Sequence, residues 1–153
     1  MGLDITAYKN IRPAVPGDSA TVVQTYRNEN FPIQSENLIP CEISWEDRYT
    51  FRAGSYRAFS AFREDLCRAA LNMSIFDLWK NPSLHLTRPF ERLLNFSDCS
   101  GWMDEITCTR LYGDFEQYRE QVLWNADPKF TGIYEQFLKA FSVASRGGCL
   151  EFH

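Results

Sequence analysis

Charge of one sign is never concentrated in this sequence. It carries 16 Lys or Arg and 20 Asp or Glu in 153 residues, a formal net charge of -4 with no run of five like charges. Without a basic block, direct nucleic-acid binding is not expected, and neither is attraction to anionic lipid. The acids are too few and too dispersed to imitate a phosphate backbone. Long hydrophobic runs are also missing, and the apolar stretches fall far short of the ~18 residues that cross a bilayer, so no membrane partner is expected. The five cysteines form no CxxC pair, and the opening residues show neither a basic n-region nor a long apolar h-region. Both features suggest reduced thiols in a cytoplasmic compartment. GxGxxG, Walker A, HExxH and GxSxG signatures are all absent, and no cofactor is expected. No internal repeat or linker divides the chain, so residues 1–153 read as a single globular domain.

Aromatics are what the sequence has in quantity: 12 Phe, 7 Tyr and 4 Trp, 15% of the chain. They bury large areas at small rotamer cost, so a chain of this size can still be well anchored. Leu3-Asp4-Ile5-Thr6-Ala7-Tyr8 alternates like a half-buried strand. Pro13 to Pro40 reads as turns and loop, with Gly17-Asp18 among them, around a short strand at Val22 to Tyr26. Ile43 to Phe51 reads as a second strand. Ser55 can cap a helix over 56–71, whose apolar residues Tyr56, Phe59, Phe62 and Leu66 recur at helical spacing. Arg57, Arg63, Glu64 and Arg68 are assigned to its opposite, solvated face. Ser74 caps a short helix over 75–80, and Phe90 to Phe96 reads as another strand. A helix over 104–124 follows, weakened by Gly113. Asp127-Pro128 starts a last helix that ends near Arg146, before Gly147-Gly148. Cys149 to His153 then reads as a closing strand beside the first. The fold class is therefore α+β: a small, mostly antiparallel sheet including both termini, packed with three main helices.

Several chemical motifs have plainer explanations. Met1-Gly2-Leu3-Asp4-Ile5-Thr6 matches an acylation pattern, but the same residues make a buried strand and no polybasic second signal follows. His85-Leu86-Thr87 has the form used in two-histidine phosphoesterases, which need two copies, and the other histidine is His153. Cys99, Cys108, Cys149 and His153 lack zinc-site spacing, and an oxygen-rich set of Asp4, Asp98, Glu151 and His153 requires the terminal strands to adjoin, so no metal is expected. Asp98-Cys99-Ser100-Gly101 reads as a loop directly before a helix, where amides and the helix dipole would activate the Cys99 thiol.

Three sets of residues carry a resemblance: Gly2-Leu3-Asp4-Ile5-Thr6-Ala7-Tyr8; Phe51-Arg52-Ala53-Gly54-Ser55-Tyr56 with Asn95-Phe96-Ser97-Asp98-Cys99-Ser100-Gly101; and Gly147-Gly148-Cys149-Leu150-Glu151-Phe152-His153. Together they resemble a family of small uncharacterised proteins encoded by bacteriophages and prophages, departing from it in residues 10–45 and 80–88. The resemblance brings no catalytic residues. It implies a bacterial host cytoplasm and a phage-type accessory protein that binds and blocks a bacterial host protein or complex. A defence inhibitor of the anti-CRISPR kind is its concrete form. Candidate binding residues are Trp45, Tyr49, Arg52, Tyr56, Trp79 and Trp102, since aromatics and Arg dominate interface energetics. The alternative is a small enzyme or ligand-binding domain with a site around Asp98, Cys99 and His153, joined by Arg52, Ser55, Tyr56 and Glu151 where strand ends meet helix starts.

Overall fold

The computed structural model of the protein describes residues 2–17 and 21–153. Met1 of the acylation pattern and Asp18 of the expected turn lie outside the described residues. Strand β1 (Leu3–Lys9) occupies the interior of a four-stranded antiparallel sheet. The other early strands are β2 (Arg12–Pro13), β3 (Val23–Gln24), β4 (Glu42–Ser44) and β5 (Asp47–Gly54). Helices α1 (Tyr56–Leu71), α2 (Ile75–Lys80) and α3 (Glu91–Leu94) come next, then β6 (Gly101–Met103). Helices α4 (Glu105–Gln117), α5 (Arg119–Leu123) and α6 (Pro128–Ala144) precede the closing strand β7 (Cys149–Phe152). The main sheet runs β5-β1-β7-β6, and a small second sheet runs β2-β4-β3. The α+β class, the antiparallel pairing and the adjacency of the terminal strands are as the sequence indicates.

Helix boundaries follow local chemistry. The Ser55 hydroxyl accepts from the Ala58 amide, and Asn72 ends α1 in the left-handed region at φ 53°. Asp127 accepts from the Lys129 amide at the start of α6, with Pro128 in the first helical position. The Ser55 and Asp127 caps each satisfy a backbone donor that the helix itself leaves unpaired.

One face of the main sheet packs on α1, α4 and α6. Ile5 stands between Phe51 and Phe152 in register, and all three belong to the principal core. The Phe137 ring on α6 gathers this core: its centroid lies 5.0 Å from Phe51, 5.5 Å from Phe62, 5.9 Å from Phe59 and 6.0 Å from Phe141. The opposite face is partly covered as well. Tyr8, Leu38, Ile43, Trp102 and Cys149 form a second buried cluster beneath the 11–45 segment and its small sheet. That cover buries Tyr8 to 3% exposure, and Thr6, packed against Thr50 and His153, is equally buried, so β1 is not the half-exposed strand its alternation suggests.

Other sequence expectations are corrected. Ile43 to Phe51 is two strands, β4 and β5, belonging to different sheets. Phe90 to Phe96 is not a strand but contains the helical turn α3. There Phe90 adopts φ 63°, its amide donates to the Asp114 carboxylate (2.9 Å), and its buried ring meets Phe115 at 4.9 Å. The fully buried Glu91 carboxylate accepts from the backbone amides of Ser83 (2.9 Å) and Arg88 (3.1 Å). These bonds to residues outside the segment favour a turn over local strand propensity. The helix expected over 104–124 breaks at Tyr118 (φ -100°, ψ 10°), which turns α5 toward α1, where Gln121 donates to the Ala69 carbonyl (3.1 Å). Among the described residues no helix is long and apolar enough to cross a membrane.

Candidate functional site

The uncovered part of the sheet's outer face carries a polar cluster centred on Thr6. Its hydroxyl lies 3.0 Å from the Thr50 hydroxyl and 2.8 Å from His153 Nε2. Beside it the Arg52 guanidinium donates to both oxygens of Asp4 (3.0 and 3.1 Å). Mutual backbone bonds between Asp4 and His153, 2.9 Å each, hold the end of β7 against β1. Toward the covered edge the Tyr8 hydroxyl donates to Glu151 Oε1 (3.3 Å). The adjacent Arg52 holds the Asp4 carboxyl below its ordinary range. Burial pushes the Glu151 carboxyl up, against the opposing effects of His153 and the Tyr8 hydrogen bond. Tyr8 itself is raised by burial and by the charge of Glu151. A carboxyl with a raised pKa and an imidazole on the same face are components of acid–base chemistry.

The structure thus brings Arg52, Glu151 and His153 onto one face with Asp4. It does not add Asp98 or Cys99 to them. Asp98 lines a separate depression of about 310 Å³, together with Phe31, Arg63, Trp79 and Phe96. Cys99 is exposed, and its thiol lies 3.5 Å from the Ser97 hydroxyl and 3.9 Å from that of Ser100. The strand β6 separates Cys99 from α4, so the thiol does not sit at that helix's N-terminus; the cap of α4 is Asp104. Ser55 is engaged as the cap of α1, and Tyr56 is half-buried as its first residue.

The candidate binding aromatics divide. Trp102 is fully buried, stacked 6.0 Å from Tyr8 with Tyr26 edge-on at 6.2 Å, so it is a core residue and offers no surface. Trp45 is half-buried, 4.7 Å from the Tyr8 ring and beneath Arg48. Tyr49 is half-buried with the Lys139 ammonium 4.4 Å from its ring. Trp79 is 40% exposed on α2, where its indole donates to the Leu94 carbonyl (3.0 Å). Phe76, 67% exposed, meets Trp79 edge to face at 5.6 Å.

No family model, curated protein or solved structure matches this chain. Its own geometry therefore carries the functional argument.

Two residues of the aromatic surface escape a sequence reading. Phe76 follows the cap Ser74 and lies three residues before Trp79, a helical spacing that places both on one side of α2. Arg63, assigned to the solvated face of α1, is only 4% exposed. Its guanidinium lies 4.8 Å from the Phe59 ring and 5.6 Å from Trp79, and Nη1 donates to the Phe96 carbonyl (2.8 Å). The signal was present, since Arg63 stands four residues after Phe59 and three before Leu66, within the apolar stripe. The remaining thiols suit structural roles. Burial pushes Cys67 up to about 11, and raises Cys108 and Cys149 as well. Among the described residues no group of three or more His, Cys, Asp or Glu is arranged to hold a metal ion.

Proposed function

We propose that the protein is a phage-type accessory interaction protein that binds and blocks a bacterial host protein or complex in the host cytoplasm. A defence complex, inhibited in the manner of an anti-CRISPR protein, is the concrete form of this reading. The observation that carries it is the Phe76–Trp79 pair, two large aromatics in mutual contact that remain 67% and 40% exposed on one short helix. A single exposed apolar side chain is ordinary, whereas adjoining aromatics beside an arginine have the composition of an interface centre. The resemblance to phage and prophage proteins supports a bacterial partner.

The test is affinity capture from bacterial lysate at ~0.5 M salt, where weak surface association is screened away. The tagged wild type is expected to retain one stoichiometric partner that the Phe76→Ala/Trp79→Ala double variant loses. A partner held equally by both would remove this surface from the interaction, and capture of none by the wild type would remove the interaction reading itself.

A second reading, a ligand-binding or enzymatic site, is favoured by the Tyr8–Glu151 hydrogen bond beside His153. It centres on Glu151 and His153 and no longer on Asp98 and Cys99. A metal or nucleotide that raises the melting temperature of the wild type, and fails to do so for both Glu151→Gln and His153→Ala, would favour it.

A further inference from the structure

The depression next to the Phe76–Trp79 pair contains a buried guanidinium with no carboxylate within ion-pair distance among the described residues. A guanidinium has five N–H donors in a fixed plane. In Arg63, Nη1 is used by the Phe96 carbonyl, while Nε is buried with no partner. No carboxylate among the described residues stands within ion-pair distance of it. The Phe59 and Trp79 rings lie against the guanidinium, but quadrupole contacts do not neutralise a full charge. Burying an arginine in this state is costly unless an anion completes it. Asp98, on the same depression, supplies only a partial offset: it favours the charged form, yet burial still dominates and lowers the Arg63 pKa.

We infer that this depression is a recognition pocket for the side-chain carboxylate of a Glu or Asp on the protein partner, presented beside an aromatic or large apolar residue. The inference rests on the interaction reading above and names the chemistry that the partner offers. Three observations select this ligand. Arg63 lines the depression, and the fixed donor plane of a guanidinium matches a planar carboxylate. The walls, Phe31, Trp79 and Phe96, are aromatic and suit an adjoining apolar group. A volume of about 310 Å³ is large enough to admit a side chain on its stem. Phosphate fits less well, because Asp98 on the wall repels a dianion more strongly than the single charge of a carboxylate.

The experiment uses the full chain, ¹⁵N-labelled, titrated with acetyl-Phe-Glu-amide. Comparison ligands are acetyl-Phe-Gln-amide, acetyl-Phe with its free terminal carboxylate, and inorganic phosphate. The expected result is saturable shifts in the Trp79 indole N–H and the amides of residues 96–98, with binding of the Gln peptide at least about ten-fold weaker. Equal binding of the Glu and Gln peptides, tighter binding of acetyl-Phe or phosphate, or shifts centred elsewhere would overturn it. So would the absence of any shift at ~10 mM peptide. These comparisons need no altered protein. As a separate arm, Arg63→Met, shown to be folded by circular dichroism, should lose the captured partner. If that variant still holds a partner that Phe76→Ala/Trp79→Ala loses, the carboxylate pocket fails while the interaction reading stands. If the wild type captures no partner, it is the interaction reading that fails.

Discussion

Gly148 lies so close to the carbonyl oxygen of Tyr8 that a Cβ built on it would stand 1.7 Å from that oxygen. The same Cβ would also approach the Ala144 carbonyl to 3.0 Å, so the strand β7 can enter the sheet beside β1 only with glycine here. Neither backbone atom can yield without displacing a strand or the end of α6. Gly148→Ala is expected to lose at least about 2 kcal/mol, a large overpacking penalty, measured by urea unfolding. A variant with unchanged midpoint would show that β7 docks differently.

Asp104 connects the covering segment to the main helices. Its buried carboxylate accepts from the Thr107 amide at the start of α4 (2.8 Å) and from the Asn37 amide across the structure (3.0 Å). Asp104→Ala removes a cap and strands a second donor, so a loss of about 2–3 kcal/mol is expected. Asp104→Asn, which keeps one acceptor oxygen, should lose less. Equal stability of the three proteins in denaturant titrations would refute this linkage.

Burial raises the Glu151 carboxyl above its ordinary 4.5, so folding favours the protonated form. As pH rises from about 4.5, the unfolded chain releases this proton before the folded chain does, and the wild type loses stability up to the raised folded value. Glu151→Gln cannot ionise and keeps an acceptor for the Tyr8 hydroxyl. Its melting temperature should therefore gain on that of the wild type as pH rises through this interval. Asp114, also raised by burial, contributes in the same sense in both proteins and cancels from the comparison. Asp4, held low by Arg52, acts oppositely, losing stability as pH falls. A difference between variant and wild type that stays constant with pH would show that folding does not raise the Glu151 carboxyl.

Thiol accessibility separates the five cysteines. Cys99 is exposed and Cys41 half-buried, while Cys67, Cys108 and Cys149 are buried. Reaction with a chromogenic disulfide under native conditions should show a fast phase of one thiol that Cys99→Ser abolishes. The buried three should react only as the protein opens. Persistence of the fast phase in the variant would place another cysteine on the surface.

The sequence revealed those parts of the fold that depend on local chemistry. Ser55, Ser74 and Asp127-Pro128 mark helix starts because capping involves residues a few positions apart. The terminal strands were legible from alternation. Phe90 to Phe96 was not, because the bonds that shape it come from Ser83, Arg88 and Asp114 outside the segment, which its own apolar run does not reveal. Trp102 gave no surface because the proline-rich 11–45 segment folds over it, a decision made by distant residues. Arg52, Glu151 and His153 did meet on one face, since strand pairing set their register, but Asp98 and Cys99 belong to a loop that faces other partners. Arg63 was misassigned for a different reason: its position argued for the core and its charge for solvent, and position prevailed.

Because β6 reaches β1 only through β7, the main sheet cannot be completed by growth outward from its earliest strands. Residues 5–8 pair with 149–152, so closing that ladder must await synthesis of β7 and spans a long loop. During synthesis the β1–β5 ladder can form while β1's other edge remains open, which makes that edge the segment most exposed to mispairing until β7 arrives.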